Sequence, residues 1–482
     1  MFLRKFDITY LGYEGLFSNL FSVLATFDLG AGALLLYKLY RSIAIGNEIE
    51  IRRLIAMFAH IYRLVALITI VFGLLAIPLL PYLIQDKVTN WRYVHMIYLV
   101  QLFGTVGSVY FSYYRLILEA NQRLSDAVKI EVAFRIASQF IKFFVILYTK
   151  SYLLYLAATM LSNMLAMILI AIRTRRRYSP FFGGTCALAD LVSPSFRAEI
   201  KDSAIIRLTQ IAFFLTDTIL ISSMIGLRSV ALYGNYTMIG GNVLVGFNSA
   251  LQPVRASAGN YANTESDSDS YRIFCTVDLI SFFAASFVLT SLFVLFQPVI
   301  SFLYGEIYLL SFGFLAFYCL QIYITLKDNA VRMFRETVGE YSMEKKWAIT
   351  AAIVNIVLSV VGIKLFGITG AILGTVLAKL ILEIGNYSIA YQCRFHMPVW
   401  KGLGRSYFFL ILTSAEAALT YFLCSGLAVS LGGIAIRAIL CVLIPNAINV
   451  LLFFKTESFQ QMRSYLLAMI HIAKEHSDPS NP

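Results

Sequence analysis

Long apolar runs recur along the chain, each of about the twenty residues that a helix needs to cross roughly 30 Å of hydrocarbon. The windows fall at 15–37, 64–84, 94–118, 132–149, 151–172, 208–226 and 229–252, then at 273–303, 307–326, 347–366, 368–392, 406–430 and 432–454. The pattern therefore predicts an all-α polytopic membrane protein with about thirteen transmembrane helices. The window 132–149 is the most interrupted, because Arg135 and Lys142 lie inside it. Trp91, Trp347 and Trp400 fall at or just before window edges, at the depth where amphipathic rings meet the headgroups.

Composition agrees with that reading. Hydrophobic residues make up 59% and charged residues 14% of 482, whereas soluble chains carry about 45–50% and about 25%. The net charge of +12 would suit nucleic acid, but its placement gives it another cause. Of 39 lysines and arginines, 28 fall in one alternating set of loops, window ends and the tail, seven in the opposite set, and four (Arg135, Lys142, Lys379, Arg437) deeper within windows. Cytoplasmic loops carry such an excess, so the C-terminus is expected in the cytoplasm and the N-terminus outside. No nucleic-acid partner is expected. The six cysteines form no CxxC or metal-ligand spacing, and residues 1–10 lack the apolar stretch of a cleavable signal peptide. No metal site, cofactor or nucleophile–base constellation is legible, so nothing favours an enzyme.

The longest break between windows, 173–203, opens with RTRRRYSPFFGG. It divides the chain into an expected N-terminal lobe (1–172), a basic cytoplasmic linker (173–203), a C-terminal lobe (204–393), two additional spans (394–454) and a cytoplasmic tail (455–482). The lobes look like repeats. Leu16-Phe17-Ser18-Asn19 matches Leu232-Tyr233-Gly234-Asn235 at an offset of 216, and Gly30 and Gly246 keep that offset. So do Tyr155–Thr159 and Ala371–Thr375. Two-fold repeats are a common build of secondary transporters, with the substrate path at the repeat interface.

Ionisable residues inside spans are costly and tend to face protein or water. Glu131, Arg135, Ser138, Gln139 and Lys142 share one helical face. That face either lines a wet cavity for an anionic head group, or Arg135 pairs with Glu131 and Lys142 reaches water. Asp217 sits mid-span with Arg207 and Gln210 nearby; it is either an ion-coupling carboxylate or a buried, hydrogen-bonded one. Asp28 belongs to the same class, with Asn19, Ser22 and Thr26 in a polar stripe beside it. Lys379 and Glu383 are expected to pair with each other and Asp278 and Arg437 to snorkel from span ends; Glu416, in the outer pair of spans, has no obvious partner in the sequence.

The segment FLRKFDITYLGYEGLFSNLFSVLATFDLGAGALLLYKLYR (2–41) resembles the opening of bacterial lipid-linked oligosaccharide flippases. These are the O-antigen, capsular and teichoic-type exporters of the multidrug/oligosaccharidyl-lipid/polysaccharide superfamily. TDTILISSMIGLRSVALYGNY (216–236) and ASAGNY (256–261) are similar to later family segments. The resemblance implies two six-helix lobes plus two C-terminal helices. It also implies alternating access in the bacterial inner membrane, and an undecaprenyl-pyrophosphate-linked oligosaccharide as cargo. A proton or sodium ion is the implied coupling ion, and membrane lipids, a polysaccharide polymerase and chain-length machinery are the implied partners. Arg135, Gln139, Lys142, Asn19 and Asn235 become candidate substrate contacts, and Asp28 and Asp217 candidate ion-coupling residues. The family has fourteen spans, and this chain begins where the loop after the first would lie, so that helix is expected to be missing. A same-fold drug/cation antiporter or lipid-linked peptidoglycan precursor flippase is the alternative, and a membrane polysaccharide polymerase a weaker one.

Overall fold

A computed structural model describes residues 6–25, 31–149, 151–184, 209, 217–264, 267–338 and 341–464. The described residues are helical, with short turns and no strand among them. They form α1 (Thr9–Ala25), α2 (Ala31–Ile45), α3 (Glu48–Leu75), α4 (Trp91–Phe111), α5 (Tyr113–Ala120), α6 (Leu124–Tyr148) and α7 (Tyr152–Arg177). After a helical stretch at 217–224 come α8 (Leu227–Thr264), α9 (Asp267–Tyr304), α10 (Phe312–Val338) and α11 (Tyr341–Phe366). The last three are α12 (Ile368–Ile389), α13 (Val399–Cys424) and α14 (Leu431–Phe453).

Eight helical segments among the described residues are long and apolar enough to span a bilayer. They are Glu48–Leu83, Trp91–Ala120, Tyr152–Arg177, Asp269–Tyr304, Met343–Phe366, Ile368–Arg394, Val399–Cys424 and Leu431–Phe453. Each overlaps one of the apolar windows. The chain divides into two compact units, Met1–Gly234 and Asn235–Pro482, with the division inside α8.

Several helices start earlier than their apolar windows, for local reasons. The Asp7 carboxylate accepts from the Thr9 N–H at 2.8 Å and the Thr9 hydroxyl at 2.6 Å, fastening the start of α1. These bonds hold the Asp7 carboxyl below the usual carboxylate range. Asn47 caps α3 by accepting from the Glu50 N–H. Glu48 and Glu50 then sit in its first turn, where negative charge suits the helix dipole. Arg52 and Arg53 pair with them at i,i+4 and i,i+3 spacing. A stretch that reads as a basic loop is therefore helix.

In unit 1, Phe17 and Phe21 of α1 pack on Tyr98 of α4, whose hydroxyl donates to the Gly73 carbonyl at 2.7 Å. The Ser162 hydroxyl of α7 donates to the Phe134 carbonyl of α6 at 2.8 Å, marking their seam. In unit 2, α11 and α12 form a tight hairpin. A methyl group on Gly362 or Gly370 would strike the other's backbone, which is the close approach that small residues permit between membrane helices.

Candidate functional site

Among the described helices of unit 1, α6, which is not one of the eight apolar spanning segments, carries a polar face that is only lightly covered. Only Ala127, Ile130, Ser138 and Ile146 of its 25 residues are buried. Successive helical residues are about 100° apart, so Glu131, Arg135, Ser138 and Lys142 fall on one side. Exposed Val132, Ile136, Phe140 and Phe143 fall on the other. The apolar arc suits lipid; the polar arc lies beside the seam with α7.

Lys142 is half-buried, with its ammonium over the Tyr155 ring of α7 at 4.8 Å from the centroid. Such cation–π contact is worth about 0.5–2 kcal/mol. Across from it, the Glu14 carboxylate of α1 interacts electrostatically with Lys142 and is approached by the Tyr152 hydroxyl. That hydroxyl also lies 3.0 Å from the Tyr10 carbonyl. Three helices thus bring together one carboxylate, one ammonium and two tyrosines. Glu14 was not among the residues singled out from the sequence. The apolar window begins at 15, one residue after it, and only the Asp7 cap shows that the helix starts six residues earlier still.

The expected alternative pairing of Arg135 with Glu131 does not form. Glu131 pairs instead with Arg115 of α5 at 3.1 Å, because the break at Ser112 sets α5 against α6. Arg135 and Gln139 remain exposed, and Arg135 has no ion pair among the described residues. Asn19 is half-buried, with its amide donating to the Gly15 carbonyl of its own helix at 2.8 Å. Asp217 is 2% exposed and accepts from the Tyr233 hydroxyl at 3.0 Å. Nearby, Asp86 caps α8 by accepting from the Leu227 N–H at 2.6 Å. In unit 2, Asn235 is half-buried with its amide nitrogen unpaired. Asp28, Arg207 and Gln210 lie outside the described residues.

Unit 2 corrects three further expectations. Asp278 does not snorkel: it is buried, paired with buried Lys327 of α10 and with Arg405 of α13 at 3.2 Å. Lys327 also donates to the Tyr387 hydroxyl of α12. Lys379 and Glu383 do not pair with each other. Lys379 donates to Thr325 of α10, and Glu383 accepts from Ser406 of α13 at 2.6 Å. Arg437 is buried and donates to the carbonyls of Cys424, Leu427 and Ala428, closing the C-terminal end of α13. Glu416 has a partner after all, the Ser286 hydroxyl of α9. Each partner lies outside the residue's own helix, so spacing along one helix carried no signal of it.

No protein-family model and no curated protein sequence matches the chain. Solved structures do. One is a lipid II flippase, MurJ, in an inward closed conformation: TM-score 0.64, 13% identity, covering 92% of this chain and 97% of that one. Another is a multidrug resistance MATE family transporter of the MOP superfamily, facing inward: TM-score 0.60, 13% identity, covering 80% of this chain and 91% of that one. At such identity the likeness speaks for the fold alone, and the chain is an integral, multi-pass, all-helical membrane protein with the fold of the MOP superfamily.

Proposed function

We propose that this protein is an alternating-access transporter that flips an oligosaccharide on an undecaprenyl-pyrophosphate carrier from the cytoplasmic to the outer leaflet. The membrane is the bacterial inner membrane, with the C-terminus in the cytoplasm. The observation that carries this reading is the polar face of α6. Lys142 is held by Tyr155 and opposed by Glu14, while Arg135 and Gln139 stand exposed on the same side. A pyrophosphate and its sugars cross hydrocarbon only if protein charge and donors replace water. Two cations on one face offer that replacement without covalent chemistry. The apolar arc of α6 stays compatible with lipid, where the polyprenyl tail would remain.

Asn235, with its unpaired amide nitrogen, is a donor for glycan hydroxyls; Asn19 would first have to release the Gly15 carbonyl. Asp217 and Asp28 are proposed to couple a proton or sodium ion to the cycle. Support for the cargo comes from the motif resemblance at 2–41 and 216–236, and from the likeness over most of both chains to the structure of a lipid II flippase.

Complementation of a strain lacking its surface-polysaccharide flippase tests the proposal. Wild type should restore export, and Lys142→Met and Asp217→Asn should impair it while still inserting in the membrane. Wild-type export by both variants would refute the site. Drug efflux without glycan export would place the cargo with the antiporters instead. Rescue only of a strain lacking its lipid II flippase would make the cargo a peptidoglycan precursor.

A further inference from the structure

Glu416 of α13 is a carboxyl that is 1% exposed and has no cationic partner among the described residues. One of its oxygens, Oε2, accepts from the Ser286 hydroxyl of α9; the other, Oε1, has no hydrogen-bond partner. The Asn449 side chain of α14, also 1% exposed, lies against this carboxyl and donates its Nδ2 to Ser286 at 3.3 Å. Its Oδ1 is left without a partner. One turn along α9 from Ser286, the fully buried Thr290 hydroxyl is unpartnered as well. In α14, Pro445 has no N–H to offer the Cys441 carbonyl one turn earlier. The Cys441 thiol touches the Thr290 carbonyl at 4.0 Å, which brings this turn of α14 against α9.

Buried polar groups are normally paired, because each unpaired one costs about 1–3 kcal/mol. Here Glu416 Oε1, Asn449 Oδ1 and Thr290 Oγ1 come from three helices, and all are oxygens. A proton on Glu416 would at best join Oε1 to the Asn449 Oδ1 and leave Thr290 Oγ1 without a partner. Oxygen-only groups around a single carboxylate are what a hard cation takes. One carboxylate neutralises one positive charge, so the ion is monovalent. A divalent ion would leave a net charge in low dielectric.

We propose that Glu416, Asn449, Ser286 and Thr290 form a buried site for a sodium-sized monovalent cation that ties α13 and α14 to α9. The site is independent of the cargo and of Asp217. It makes the last two helices an ion-stapled part of unit 2 rather than a passive addition.

The test uses the purified full chain in detergent, with its unfolding temperature followed in sodium, potassium and choline chloride at equal ionic strength. Binding of radioactive sodium is measured in parallel. Sodium should raise the unfolding temperature saturably above that in choline, and Glu416→Gln should lose the shift. Asn449→Leu and Thr290→Val, which keep the carboxyl, should weaken sodium binding at least about tenfold, or about 1.4 kcal/mol. They decide the question if Glu416→Gln does not fold. Asp217→Asn should retain the part of the shift that Glu416→Gln loses, which separates this site from any sodium held at Asp217. Equal unfolding temperatures in sodium and choline would overturn the proposal. So would an equal response of wild type and Asn449→Leu, or a stability that follows pH and ignores sodium, which would make Glu416 a permanently protonated hydrogen-bond donor.

Discussion

The two units treat the charges on their helices in opposite ways. On α6 of unit 1, Arg135 and Gln139 are exposed and Lys142 is only half-buried, opposed by Glu14 without an ion-pair contact among the described residues. On α9 and α10 of unit 2, Asp278 and Lys327 are each 1% exposed and in direct contact, with Arg405 and Tyr387 closing around them. A cation that its own fold has fully enclosed has nothing left to offer a ligand. A cation propped on a tyrosine ring, with one side open, does. The enclosed network of unit 2 suits cohesion, and the open face of unit 1 is the one proposed for recognition.

Breaking the enclosed pair should have the largest effect. Lys327→Met leaves Asp278 in an apolar interior with Arg405 alone, and should cost about 3–5 kcal/mol of stability, read as a lowered unfolding midpoint and reduced yield. Lys142→Met should move the midpoint by less than about 1 kcal/mol, because it loses a half-exposed cation–π contact. Transport in the same variant should fall by roughly ten- to a hundredfold, the value of one hydrogen bond to a charged group. Equal stability losses in the two variants would erase the contrast between the units.

Glu14→Gln sharpens the comparison from the other side. Removing the carboxylate that opposes Lys142 should tighten anionic cargo binding by roughly fivefold, about 1 kcal/mol, and slow its release. Binding and turnover measured in proteoliposomes should therefore move in opposite directions. A loss of both would make Glu14 a structural partner of Tyr152 instead. The smallest expected effect is at the start of α3. Asn47→Ala removes a cap and should cost about 1 kcal/mol without altering transport, the behaviour of a local device outside either charge cluster.

Much of the fold was legible because apolar length and loop charge are written locally. Each of the eight described spanning segments overlaps an apolar window. The limits were less legible. Capping by Asp7 and Asn47 and the early acidic pairs of α3 extend helices past the apolar runs, and apolar length is blind to caps. The candidate site was half visible. The face of α6 follows from helical periodicity, which any sequence displays. Glu14 and Tyr152 join it only because α1 and α7 pack beside α6.

The sequence by itself determined that this is a helical membrane protein, where its apolar segments lie, and which residues share the charged face of α6. Only the tertiary structure decided which charges meet. Glu131 meets Arg115 rather than Arg135, Asp278 meets Lys327 rather than the interface, and Glu383 meets Ser406 rather than Lys379. The physical reason is reach. Neighbours along one helix are set by its pitch, but in low dielectric the best-placed donor or counter-charge wins, and it stood on another helix each time.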